Sequence, residues 1–248
     1  SGISKIMCTV TFIPKGKDEF ILTTNRDENA ARSPRNITIT ERDVQLVFPR
    51  DNAAGGTWVA MSNTNKVACV LNGAFERHER NLPYRMSRGV MALQFFDFER
   101  AEHFFDEFQF EGMEAFTMVI YDNGKLYDFR WDEEERHIKE FPTDDYHIWS
   151  SATLYDKPIR EKREQWFADW LEKNDEYDLA SILDFHFNAG DGDPWNDVIM
   201  NRNGMVQTVS VTSIIKTHQS AEMLYHDLLR EEVKQAKIEL DRNLIEVK

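Results

Sequence analysis

Residues 7–28 read MCTVTFIPKGKDEFILTTNRDE. Residues 6–13 are apolar and β-branched, residues 20–24 repeat that character, and Pro14-Lys15-Gly16-Lys17-Asp18 lies between them. Val, Ile, Thr and Phe suit a pleated surface, and Pro and Gly suit a turn. The stretch therefore predicts a β-hairpin with 6–13 and 20–24 as adjacent antiparallel strands. The polar run Asn25-Arg26-Asp27-Glu28 has two readings: the second strand leaving the core, or a site. At the other end stands Cys8, directly after Met7. If Met7 is the start, its removal leaves Cys8 first in the chain, with a thiol and a free α-amine on one residue. The amine can take the thiol proton, so nucleophile and base come without a histidine. On this reading residues 1–6, too short and polar for a signal peptide, are a tag remnant, and 7–248 is a single domain.

The chain has 248 residues, enough for one large domain or two small ones. Hydrophobic residues at 41% and aromatics at 12% mark a globular chain. Lys and Arg total 30 against 44 Asp and Glu, a formal charge of -14, and no basic cluster outweighs its acidic neighbours. That balance argues against a nucleic-acid partner. No apolar stretch approaches the roughly 20 residues of a membrane span. Cys8 and Cys69 allow one internal disulfide at most, which is no secreted framework. The expectation is a cytoplasmic protein with a small-molecule substrate or ligand and no cofactor.

Further strands are predicted at 36–40, 44–48, 57–61 and 66–71, with Gly55-Gly56 as punctuation. Apolar residues three or four apart predict helices over 85–97 and 99–108. Strands follow at 116–121 and 125–131 around Asn123-Gly124, a strong hairpin signal, and then at 136–141 and 146–150. Glu133-Glu134-Glu135 reads as a solvated hairpin tip. Pro158 suits a first helical turn, and helices are predicted over 159–171 and 179–187. Strands are predicted at 197–200 and 206–215. Ala221, Leu224, Tyr225, Leu228 and Leu229 fit a helix, while 216–221 also suits a turn into a final strand. Strands and helices in blocks predict an α+β layered domain.

Met7-Cys8-Thr9, Asn25-Arg26-Asp27-Glu28, Arg50-Asp51, Gly55-Gly56-Thr57-Trp58 and Val70-Leu71-Asn72 occur in one order across the first third of the chain. Together they resemble the NRDE family, which includes the transport and Golgi organisation (Tango) proteins. Ser150-Ser151-Ala152-Thr153-Leu154 and Pro158 match more loosely. That family looks like a relative of N-terminal nucleophile hydrolases, among them bile-salt hydrolases and penicillin acylases that begin with Cys. The resemblance implies an α+β fold, a four-layer αββα sandwich of two stacked antiparallel sheets.

It also implies roles. Cys8 is the candidate nucleophile, which needs an exposed thiolate, a base and an oxyanion site; a free Cys on a strand is otherwise a small buried residue. Arg26 would hold the thiolate by charge, and Asp27 would orient the α-amine or Arg26; a structural ion pair at a strand end is the alternative. Asn72 would donate to an oxyanion, or simply form an Asn-Gly turn with Gly73. Asn25, Trp58 and Ser151 are the candidate substrate-binding residues. Two positions depart from the related pattern: Ser151 stands where relatives carry Asn, and Val209 where they often carry Arg, so a donor and a positive charge are missing. Asp191, Asp193 and Asp197 lie among Gly and Pro without the terminal Glu of a calcium loop, and the seven histidines show no metal spacing. Two functions compete. One is a cysteine-nucleophile hydrolase that cleaves a C–N (amide) bond or transfers an acyl group. The other is a non-catalytic carrier of a hydrophobic small molecule, such as a lipid-linked group or haem.

Overall fold

The computed structural model describes residues 8–41, 44–153 and 155–246. The chain opens with β1 (Thr9–Gly16), β2 (Glu19–Glu28), β3 (Ile37–Ile39), β4 (Leu46–Pro49), β5 (Val59–Ser62) and β6 (Lys66–Asn72). Helices α1 (Arg88–Gln94) and α2 (Ala101–Glu107) follow. Next come β7 (Phe116–Asp122), β8 (Lys125–Trp131), β9 (Arg136–Phe141) and β10 (His147–Ser150), then α3 (Lys157–Lys173) and α4 (Leu179–Asn188). The chain ends with β11 (Asn201–Arg202), β12 (Val206–Lys216), β13 (Ser220–Asp227), β14 (Glu232–Glu239) and α5 (Arg242–Glu246).

Two antiparallel sheets result. One runs β10-β1-β2-β12-β13-β14 with β11 beside β12, and the other runs β3 to β9 in sequence order. The predicted hairpin is present, Val10 facing Thr24 and Phe12 facing Leu22; residues 6 and 7 of the expected first strand lie outside the described residues. Asn123 and Gly124 both take positive φ, 47° and 91°, the twist a two-residue hairpin needs between β7 and β8.

Side chains alternate across each strand, so each sheet has two apolar faces to bury. Phe12 and Leu22 meet Val59, Cys69 and Val119 between the sheets. Ile13 and Ile21 point the other way, onto Phe167, Trp170 and Phe185 of α3 and α4. Ala68, Met118 and Phe129 of the second sheet meet Phe95 and Phe104 around α1 and α2. The layers are therefore helix, sheet, sheet, helix, the sandwich the resemblance implied. Ser87 caps α1 by accepting from the Val90 N–H, which starts the helix three residues later than predicted. Asp156 caps α3 through the Ile159 N–H, with Pro158 in the first turn.

Three readings need correction. Residues 197–200 are not a strand. The Asp197 carboxylate accepts from the Asp191 and Gly192 N–H groups, and the Asp197 carbonyl accepts from Arg163, so the segment follows side chains rather than a ladder. The helical spacing of 221–229 is overruled, because β13 sits between β12 and β14. Ala221, Met223 and Tyr225 then face the inter-sheet core at a period of two. Finally, Asn25 to Glu28 do not mark a strand leaving the core. They remain in β2 and are all at most 1% exposed.

Candidate functional site

Four consecutive buried polar residues in one strand must satisfy two faces. Arg26 and Glu28 point between the sheets. The Arg26 guanidinium lies 4.0 Å from the Trp58 ring centroid and pairs with Asp51. Arg32, half-buried, stands 2.9 Å from both Glu28 and Asp51, so two arginines and two carboxylates form one cluster. Burial raises the Asp51 carboxyl, but Arg26, the Ala54 N–H and Arg32 outweigh it and hold the pKa below the ordinary value. For Glu28, burial wins and the pKa is raised. Arg26 Nε and Nη1 are buried and have no hydrogen-bond partner among the described residues.

Asn25 and Asp27 leave the opposite face, under α3 and α4. The Asn25 amide donates to the carbonyls of His186 (3.1 Å) and Val198 (3.2 Å), and its oxygen meets His186 Nδ1. Burial, then Arg163, lowers His186 to about 3, so the ring is neutral. The Asn25 oxygen only accepts, so Nδ1 carries the proton and Nε2 accepts from Thr11 Oγ1 at 2.7 Å. Asp27 accepts from Tyr155 Oη (2.9 Å) and Thr208 Oγ1 (2.5 Å). Burial lifts its pKa to about 6 against Arg163, these two hydroxyls and Arg202. Arg163 is fully buried, 3.7 Å from the Tyr155 ring centroid, and binds Thr9 and the carbonyls of Asn196 and Asp197. Asn25, an expected substrate contact, thus has its amide committed within the protein.

The segment after β10 joins the remaining candidates. The Ser151 N–H donates to the Cys8 carbonyl (3.0 Å), and Ser151 Oγ donates to the Asn72 carbonyl (2.8 Å). The Ala152 N–H reaches the same Asn72 carbonyl at 3.2 Å. Cys8 belongs to the inter-sheet face with Arg26, and its thiol is 0% exposed. Burial, with Cys69 and Asp27, pushes the thiol well above its ordinary pKa; Arg26 and the Thr24 hydroxyl pull it down. Beside this group is a cavity of about 500 Å³, lined by Arg26, Trp58, Asn72, Tyr84, Arg88 and Glu114 among others. Arg26, Trp58 and Asn72 reach it; Cys8, Asn25, Asp27 and Ser151 are not in its lining.

Sequence reading missed Tyr155, Arg163, Thr208 and His186, which no short motif unites. It noticed Val209 in place of an arginine. That residue sits buried at a bulge in β12 opposite β2, and the positive charges near Asp27 come instead from Arg163 and Arg202. Among the described residues no group of three or more His, Cys, Asp or Glu is placed to hold a metal ion, and no helix is long and apolar enough to cross a membrane.

A family model described as Transport and Golgi organisation 2 matches residues 7–243. No curated protein matches the sequence. Among solved structures, the chain is similar to a variant of conjugated bile acid hydrolase from Clostridium perfringens, with TM-score 0.58, 12% identity and coverage of 96% of this chain and 94% of that one. A second variant of that hydrolase gives TM-score 0.56, 11% identity and the same coverage. The Caenorhabditis elegans ortholog of N-acylethanolamine-hydrolyzing acid amidase gives TM-score 0.49 and 9% identity, over 84% of this chain and 92% of that one. The likeness to the bile acid hydrolase is one of fold, and the fold is that of N-terminal nucleophile hydrolases.

Proposed function

The chain belongs to the Transport and Golgi organisation 2 family, and from that membership and the site geometry we propose that it is an N-terminal cysteine hydrolase acting on a C–N (amide) bond, or transferring the acyl group. The observation that carries this reading is the convergence at Ser151, which binds the carbonyls of both Cys8 and Asn72 beside the buried Arg26. With residues 1–7 ahead of it, the Cys8 nitrogen is a peptide amide and cannot act as a base. Once Cys8 is first, its amine takes the thiol proton, and Arg26 counters the thiolate charge. The thiolate attacks the amide carbon, and the Asn72 amide donates to the oxyanion. The C–N bond then breaks, and the amine leaves with the proton held on the α-ammonium. Water or another nucleophile releases the acyl group from the thioester. Asp27 orients the α-amine from beneath the sheet, while Trp58 lines the cavity that takes the substrate.

A second reading, a non-catalytic carrier of a hydrophobic ligand, is favoured by one observation: the Cys8 thiol is buried, held in its neutral form and outside the cavity lining. Intact mass after exposure to a thiol-reactive acyl probe separates the two. Protein beginning at Cys8 should gain one acyl group at that residue, and the longer chain should not. Positioned general bases typically give about 10²–10⁴-fold in rate, so turnover should differ between the two forms by that order. Arg26→Met should slow alkylation of Cys8. It should still fold, because Arg32 keeps Glu28 and Asp51 partnered. Asn72→Ala should leave alkylation intact and lower turnover by roughly 10²–10³. A folded, Cys8-first protein that takes no acyl group would favour the carrier.

A further inference from the structure

Residues 75–84 lie between β6 and α1, and Arg80, Leu82, Pro83 and Tyr84 line the cavity. Main-chain and side-chain bonds fix both ends of this segment. Gly73 donates to the Ala115 carbonyl (3.1 Å), the Ala74 carbonyl accepts from Arg130 (2.8 Å), and Arg85 donates to the Gly112 carbonyl (2.8 Å). Between those points no residue makes a backbone–backbone hydrogen bond to any described residue. The middle is held by side chains that converge on two carboxylates. Glu114 takes Arg80 at 3.1 Å. Glu133 accepts from Tyr84 Oη (3.0 Å) and Asn81 Nδ2 (3.3 Å), and lies 3.6 Å from His78.

Glu133 has φ +83°, a left-handed backbone that side chains with a Cβ rarely adopt. That φ belongs to the short β8–β9 connection, where the Asp132 N–H donates to the Glu135 carbonyl (3.3 Å) and the Asp132 carboxylate accepts from the Glu134 and Glu135 N–H groups. The Glu133 carboxylate is only 21% exposed and is turned onto residues 75–84.

We propose that residues 75–84 are a hinged roof over the cavity, with hinges at Ala74 and Arg85, and that Glu133 is its latch. Opening releases the Tyr84 and Asn81 contacts and gives a ligand its way in. This holds whether the occupant is hydrolysed or only bound. Arg77, Arg80 and Arg85 make the roof a substrate for trypsin, so limited proteolysis reads the latch directly. Glu133→Gly removes the carboxylate and also relieves the left-handed backbone. Cleavage between 77 and 85 should accelerate about tenfold or more, the order expected for losing hydrogen bonds to a charged acceptor, with little change in Tm. Tyr84→Phe, which loses only the hydroxyl, should accelerate the same cuts by a smaller factor. Acrylamide quenching of Trp58, taken as the difference from Trp58→Phe, should rise in both variants. Unchanged cleavage and quenching in both would overturn the latch. So would acceleration spread over the whole chain with a fallen Tm, which would make Glu133 merely structural.

Discussion

Neighbouring residues in β2 have different surroundings because a strand sends them to opposite faces. Arg26 enters the inter-sheet layer, while Asp27 enters a buried polar network under the helices. That placement makes Asp27 a testable proton site. Its pKa rises from 3.8 to about 6, so between those values the folded chain holds a proton that the unfolded chain has lost. Stability from this group therefore falls as pH rises across that window, by about 3 kcal/mol in all. His186 has the opposite sign. Its pKa falls from 6.5 to about 3, so the unfolded chain takes up the extra proton and stability rises with pH. Urea melts of the parent and Asp27→Asn separate the two: the variant should gain about 2–3 kcal/mol relative to the parent from pH 4 to pH 7. A constant difference would mean that Asp27 titrates as an ordinary carboxyl.

At the scale of elements, the close approach of two glycines docks α1 on the second sheet. A Cβ on Gly56 would stand 2.2 Å from the Gly89 carbonyl carbon and 2.5 Å from the Val90 nitrogen, both backbone atoms. The Thr57 N–H also donates to the Gly89 carbonyl at 3.1 Å. Gly56→Ala must therefore push the start of α1 away. It should cost about 1–3 kcal/mol, measured by urea melts, as overpacking generally does. Equal stability would show that α1 shifts freely. The sequence marked Gly55-Gly56 as punctuation, but the partner, Gly89, lies 33 residues on in a segment read only as helix. Hairpins fared better, because their signals are local: Asn123-Gly124 carried its own positive-φ requirement. The stretch 221–229 misled because its apolar residues satisfy a helical period as well as an alternating one. Pairing with β12 and β14 settled it.

For the whole molecule, both cysteines lie in the layer between the sheets and are 0% exposed. Burial also raises both thiols, Cys69 to about 12. A thiol reagent should therefore find no reactive cysteine in the folded 248-residue chain and two after denaturation, with labelling that follows global unfolding. Fast reaction at Cys8, located by peptide mapping, in the folded chain would reveal a path to it and strengthen the hydrolase reading.

The α+β layering, the N-terminal hairpin, most strands of the second sheet and the family motifs are legible in the residues alone. Each of these rests on local periodicity, turn chemistry or residue order. The family resemblance also grouped Cys8, Arg26, Asp27 and Asn72. Packing turns Asn25 and Asp27 away from Arg26, ties Cys8 to Asn72 through Ser151, and surrounds the outward pair with Tyr155, Arg163, Thr208 and His186. The physical reason is distance along the chain. Thr11 and His186 are 175 residues apart, and Asp27 and Thr208 are 181 apart. Only closing the sheet and packing α3 and α4 upon it can bring such groups together.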